Sequence, residues 1–222
     1  NVWYRTRRTA AARTKPGWPV APGILEEIYN VEDALVFGGA CISLLNHADR
    51  VKAGCLAQLV NVIAPIMTET GGPAWRQTIF HPFSHFSNFG RGSVLRARIK
   101  SPTYAASYYD PRGAQDLSFA LPQVPYLKLA AVHDEEAGAL TLFALNRSLT
   151  EEMPLRVNAE GFSGLVVERA LQLHDTDLKA VNTKTNPDRV KPSPLAGVRT
   201  EGNSLTATLL PASWNVIRVM VS

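Results

Sequence analysis

The sequence predicts two units of different class. Residues 1–92 read as an α/β segment, part of a βα barrel or of a doubly wound sheet, and residues 93–222 as an antiparallel β-sandwich or jelly roll. Three observations carry this. A long apolar-periodic stretch is followed by a nearly continuous apolar run, which is how a helix and a strand buried on both faces read. Beyond residue 92 the texture changes to eight short apolar stretches separated by Gly, Pro, Asn and Asp. Finally, the 222 residues can bury a sizeable core, yet only about 90 precede the change, against roughly 250 for a complete eightfold βα barrel. A whole barrel does not fit.

Residues 24–47 predict a helix. Ile28, Val31, Leu35, Ile42 and Leu45 recur on one face, acids enrich the first half, and His47 suits the negative end of the macrodipole. Gly38, Gly39 and Ala40 leave a flat patch on which another backbone could lie close. The run VKAGCLAQLVNVIAPI (51–66), ended at Pro65, predicts a buried parallel strand. Residues 73–90 predict a second helix with an aromatic face of Phe80, Phe83 and Phe86, irregular at Pro82 and stopped by the FGRG stretch at 89–92. The predicted strands of the second unit are 94–100, 103–109, 125–134, 139–147, 153–160, 165–174, 205–210 and 214–221. His133 to Gly138 reads as a hairpin turn, and Asp175 to Gly202, with three prolines, as a long surface loop.

Composition narrows the function classes. Hydrophobic residues make up 45% and charged residues 19%, which excludes a disordered or solvating chain, and no apolar run reaches the ~18 residues of a membrane span. The net charge is +4, but Arg5, Arg7, Arg8, Arg13 and Lys15 stand without an acid in the first twenty residues, leaving −1 for the rest. One solvated loop supplies the excess. A nucleic-acid face needs cations spread along a groove among stacking aromatics, so polyanion binding ranks last. Cys41 and Cys55 lack a ligand spacing and are expected as free buried thiols, which favours the cytoplasm. The chain opens Asn1-Val2-Trp3-Tyr4 without an initiator Met, so a targeting signal has been removed or lies upstream.

Gln58 is the residue that stands out for chemistry. It is the first uncharged hydrogen-bonding side chain inside the apolar run, near its C-terminal end, where ligands of parallel α/β folds gather. Its amide offers two donors and an acceptor, which suits sugar hydroxyls and suits a core bond to backbone equally well; Asn61 shares the argument more weakly. Glu69, before Gly71-Gly72-Pro73 and near Trp75, fits a general acid or base beside a sugar platform, but glycoside hydrolysis takes two carboxyl groups and no second one pairs with it. A loop salt bridge to Arg76 explains it better. His47 and Asp49 lack a nucleophile elbow, so capping and a surface ion pair account for them. His81 and His85, at i, i+4, lack a third ligand and are read as structural. No glycine-rich phosphate motif occurs, and no cofactor or metal is expected.

The strings NVWY (1–4), LEEIYNVEDALVFGG (25–39), HADRVKAGCLAQLVNVIAPIMTE (47–69), GPAWRQTIFHPF (72–83) and SWNVIRV (213–219) together resemble the C-terminal portion of the α-L-arabinofuranosidases of glycoside hydrolase family 51. The likeness is dense to residue 92 and thinner through the sandwich until its last strand. The Arg-rich loop at 5–18 and a longer Asp110 to Gln123 segment depart from it. The resemblance implies the end of a (β/α)8 barrel over 1–92, a jelly-roll sandwich over 93–222, and retaining hydrolysis that releases arabinofuranosyl groups from hemicellulose-derived oligosaccharides. It places the nucleophilic Glu two positions before Asn1 and the acid/base Glu on an earlier strand, so no catalytic residue is expected in this chain. It implies substrate binding by Gln58 and Trp3, and a homo-oligomer without nucleic-acid or membrane partners. The alternative is a non-catalytic carbohydrate-binding or oligomerisation module, which an exposed coplanar row of Tyr104, Tyr108 and Tyr109 would favour.

Overall fold

The computed structural model describes residues 27–108 and 119–222. The chain runs from helix α1 (Val31–Asn46) through a short hairpin, β1 (Ile66–Thr68) and β2 (Ala74–Arg76), to helix α2 (Phe80–Phe89). Eleven strands follow: β3 (Ser93–Leu95), β4 (Thr103–Tyr108), β5 (Phe119–Pro125), β6 (Leu127–Asp134), β7 (Ala139–Asn146), β8 (Met153–Asn158), β9 (Val166–Leu173), β10 (Ser193–Pro194), β11 (Arg199–Glu201), β12 (Ser204–Leu209) and β13 (Ser213–Met220).

The predicted antiparallel sandwich is present. A six-stranded sheet in the order β10-β9-β13-β7-β6-β3 faces a three-stranded sheet, β11-β12-β8, and every named pairing is antiparallel. Between them Leu129, Leu140, Leu142 and Ile217 of the large sheet meet Leu155, Leu205 and Leu209 of the small one. Alternation along β7 then sends Phe143 and Leu145 to the opposite face, where Val31, Ala34, Leu35 and Ile42 of α1 cover them with Trp214 and Val216. Helices cover this antiparallel sheet as they would a parallel one, which is why β7 is buried throughout and reads as an unbroken apolar run.

Helix α1 starts seven residues later than the apolar pattern suggested. Asn30 caps it: its side chain accepts from the Asp33 amide at 3.0 Å, while Asp33 accepts from the Asn30 amide at 2.9 Å. This reciprocal box satisfies two otherwise orphaned donors and is worth about 1 kcal/mol. The glycine patch also has a different occupant. A Cβ on Gly38 would stand 2.8 Å from Cε3 of Trp214, and one on Gly39 3.1 Å from Leu145, so an indole rather than a backbone fills the flat surface. Cys41 is buried, which raises its thiol to about 12, but Cys55 is exposed, against expectation.

The predicted parallel strand at 51–66 is not there. The segment is irregular and largely exposed, and its one parallel contact is an isolated bridge from Val60 to Ile66. A central parallel strand needs neighbours on both edges for its amides and carbonyls, and the described residues supply none. Instead Gln58, Asn61 and Val62 take left-handed backbone near φ +60°, and Leu59 is 77% exposed. No barrel is formed by the described residues, nor is any of their helices long and apolar enough to cross a membrane. The Arg-rich loop and Trp3 lie outside the described residues.

His81 and His85 project from α2 into the core. Trp214 donates its indole N–H to Nδ1 of His85 at 3.1 Å and packs against both rings of the stacked pair Phe86–Phe143, tilted to the first and stacked with the second. Burial holds both imidazoles down to about 4, with Arg76 opposing charge on His81, and His81 and Arg169 opposing it on His85. Their neutral forms therefore stabilise the fold fully above pH 6.5, and that contribution is lost as pH falls from 6.5 towards 4, because the unfolded chain then binds more protons. Between pH 7 and pH 5 each is expected to cost about 2 kcal/mol. Urea unfolding across this range should show the loss, and His85→Gln, which keeps an acceptor but cannot titrate, should remove about half of it, leaving the part due to His81.

Candidate functional site

Four chain segments that are distant in sequence are tied together by three buried side chains. Gln77 is 2% exposed; its Oε1 accepts from the Tyr29 amide at 3.0 Å, and its Nε2 donates to the carbonyls of Glu27 (3.0 Å) and Ala64 (2.9 Å). Thr78 donates to the Asn30 carbonyl at 2.6 Å. Asn182 donates to the carbonyls of Arg76 and Val190 and accepts from the Val190 amide at 2.7 Å. All of these bonds go to backbone groups, those of Gln77 to irregular chain, that of Thr78 to the carbonyl capping α1 and one of Asn182's to the end of β2, where no ladder supplies the partner.

Above this floor lies a cleft of about 350 Å³ between the β1–β2 hairpin and the loop at 182–184. Trp75, Met67 and Thr68 form one wall, Asn182 and Thr183 another, and Glu69 stands at the rim. Asn61 is locked against the hairpin, donating to Thr68 Oγ1 at 2.8 Å and accepting from the Thr68 amide at 2.7 Å. Glu69 accepts from Lys184 Nζ through both carboxylate oxygens at 3.1 Å. The expected partner Arg76 instead lies over the Phe80 ring, 5.0 Å from its centre. The Glu69 side chain lies back over the hairpin turn in the space that Gly72 leaves open, since a Cβ there would meet Glu69 Oε2 at 2.9 Å.

Glu69 is the one carboxylate among the described residues lining the cleft, so two-carboxylate chemistry has no second member there. Gln58 is exposed, lies three positions before Asn61 and is not among the residues that line the cleft, and Trp3 lies outside the described residues. His47 bonds the Ser43 carbonyl at 2.8 Å and Asp49 pairs with Arg50 at 3.6 Å, the capping and surface roles expected of them. Among the described residues no group of three or more His, Cys, Asp or Glu is placed to hold a metal. Tyr104 packs on Tyr126 with ring centres 4.7 Å apart, and the side chain of Tyr108 and the whole of Tyr109 lie outside the described residues. Gln77, Asn182 and Lys184 escaped the sequence reading. An isolated polar residue directly after the AWR string was the available signal for Gln77, whereas Asn182 and Lys184 sit in a proline-bearing loop with no periodicity to mark them.

Residues 1–213 match the family described as alpha-L-arabinofuranosidase C-terminal domain. An intracellular exo-alpha-(1->5)-L-arabinofuranosidase from Streptomyces lividans is 49% identical over 98% of this chain, and one from Halalkalibacterium halodurans 46% identical over 99%. The chain spans 31% and 41% of their respective lengths. A solved structure of a family 51 alpha-L-arabinofuranosidase from Bifidobacterium longum is similar with a TM-score of 0.77 at 35% identity, covering 96% of this chain and 39% of that one.

Proposed function

This chain belongs to the C-terminal portion of the family 51 α-L-arabinofuranosidases, and from that premise we propose that it is the closing segment of a retaining arabinofuranosidase acting inside the cell. The reading gives residues 1–92 to the end of a (β/α)8 barrel and 93–222 to a jelly-roll sandwich. In it the irregular segment 51–64 becomes a barrel strand once neighbouring strands pair with it, and Gln58 and Trp3 then contact the arabinofuranosyl ring. The substrate is an arabinose-containing oligosaccharide, and the mechanism is double displacement through a covalent glycosyl-enzyme on carboxylates outside this chain. Assembly of several copies belongs to the same reading, supported by Val36 and Leu44, which are 42% and 45% exposed on α1.

The observation that carries the proposal is the near end-to-end likeness of this chain to the C-terminal parts of much longer arabinofuranosidases. The exposed apolar residues at 59–60 support it, since they are what a strand stripped of its barrel presents. Incubated with 4-nitrophenyl α-L-arabinofuranoside, the 222-residue chain is expected to release no nitrophenol; turnover would overturn the placement of the carboxylates. Refolded with the upstream part of the Streptomyces relative, it is expected to regain turnover, and Gln58→Ala in that assembly to lower kcat/KM on the order of a hundredfold.

A further inference from the structure

We propose that the cleft beneath Trp75 is a glycan subsite, separate from the ring-gripping role given to Gln58, which holds a neighbouring sugar residue of an arabinose-containing oligosaccharide through Trp75, Glu69 and Lys184. Its choice of sugar rests on the arabinofuranosidase reading above; its position rests on Trp75, Glu69 and Lys184, none of which belongs to the segment 51–64 that the reading rebuilds.

The cleft matches a neutral polyhydroxylated ring in three respects. Its volume, about 350 Å³, is that of a small-molecule pocket, and it lies between the hairpin and a loop of the sandwich. The indole of Trp75 offers a flat apolar surface to the C–H face of a sugar while its N–H stays available to a hydroxyl. At the rim, the carboxylate of Glu69 has lone pairs left to accept from hydroxyl donors, and the ammonium of Lys184, with at least one of its three protons free after bonding both Glu69 oxygens, donates to hydroxyl oxygens. The two charges cancel, so the site disfavours anions and cations alike.

Stability does not account for the arrangement. Both side chains of the Glu69–Lys184 pair are about half exposed, and such pairs contribute little to folding. Yet the pair spans 115 residues of sequence, and both partners stand on hydrogen-bonded backbone: Glu69 by the turn in which its amide donates to the Pro73 carbonyl and its carbonyl accepts from the Gly72 amide, and the Lys184 loop by the buried amide of Asn182. Fixed polar groups over an aromatic wall are what preorganised recognition requires.

The test is a titration of the uniformly ¹⁵N-labelled 222-residue chain with α-(1→5)-arabinotriose, read at the tryptophan indole resonances. Trp214, buried and bonded to His85, reports whether each variant is folded. The Trp75 signal is expected to shift saturably while that of Trp214 stays still. Trp75→Ala should weaken binding by at least about tenfold, and Glu69→Gln and Lys184→Met by about fivefold each, as loss of a net hydrogen bond predicts. A Trp75 signal that does not move in a chain with a native Trp214 signal would overturn the subsite, whatever the outcome of the Gln58 assay. Equal binding of maltotriose would overturn its assignment to arabinose-containing glycans, and full affinity in the Glu69 and Lys184 variants would overturn the role given to the pair.

Discussion

Trp214→Ala is expected to destabilise the chain by about 4 kcal/mol, on the order of half the stability of an ordinary domain. The indole is fully buried, stacks with Phe143, packs at a tilt against Phe86, and fills the surface opened by Gly38. Its removal also leaves Nδ1 of the buried His85 without its donor. The glycine is the other half of the same fit. Gly38→Val places a branched side chain where even a Cβ stands 2.8 Å from the ring, so it too is expected to be costly despite the better helix propensity of valine. Because each change relieves the strain or void that the other creates, the double variant should cost less than the two single changes together. Urea unfolding of the three variants measures this, and strictly additive costs would show that ring and glycine do not share one contact.

How far the sequence foretold this packing differs between elements for physical reasons. Strands of the sandwich were legible because their signal is local: alternation or an apolar run, ended by turn residues, and the hairpin at 135–138 closes as expected between β6 and β7. Short pairings were not. β11, the two-residue β10 and the β1–β2 hairpin sit among Pro, Gly and Thr, where only the partner strand decides pairing. β5 carries Pro122 within it and ends at Pro125, which the sequence pattern assigns to the start of the next strand, so it leaves no separate signal. The start of α1 was set by Asn30 and Asp33, a box visible in the sequence, but the apolar periodicity of Ile24 to Ile28 drew the boundary outward.

The segment at 51–66 is the instructive failure. Its composition specifies a buried strand, and a strand is a statement about neighbours as much as about residues. Without them Val62 adopts φ 59°, an outlying conformation for a β-branched residue, and Leu59 faces solvent. Gln58 follows the same logic: its position near the end of an apolar run was readable, but the cavity it would line is built by strands that the described residues do not contain.

The second large effect is expected at Gln77, which belongs to the cleft as much as to the core. Gln77→Ala would strand the Tyr29 amide and the carbonyls of Glu27 and Ala64 in a buried place, each costing ~1–3 kcal/mol when water cannot reach it. Partial relaxation limits the total to about 3 kcal/mol. Gln77→Glu keeps the shape and the acceptor for Tyr29 but loses both donors and buries a charge, so it should be at least as damaging at neutral pH. Amide exchange locates the effect: protection of Tyr29 should collapse in both variants, while the amides of β7 and β13 keep theirs relative to global stability. A Gln77→Ala chain within ~0.5 kcal/mol of the parent would mean that these backbone groups find other partners. In that case the floor of the cleft is not fixed by Gln77, and the rigidity of the hairpin that carries Glu69 and Trp75 would rest on Asn61 and Asn182 alone.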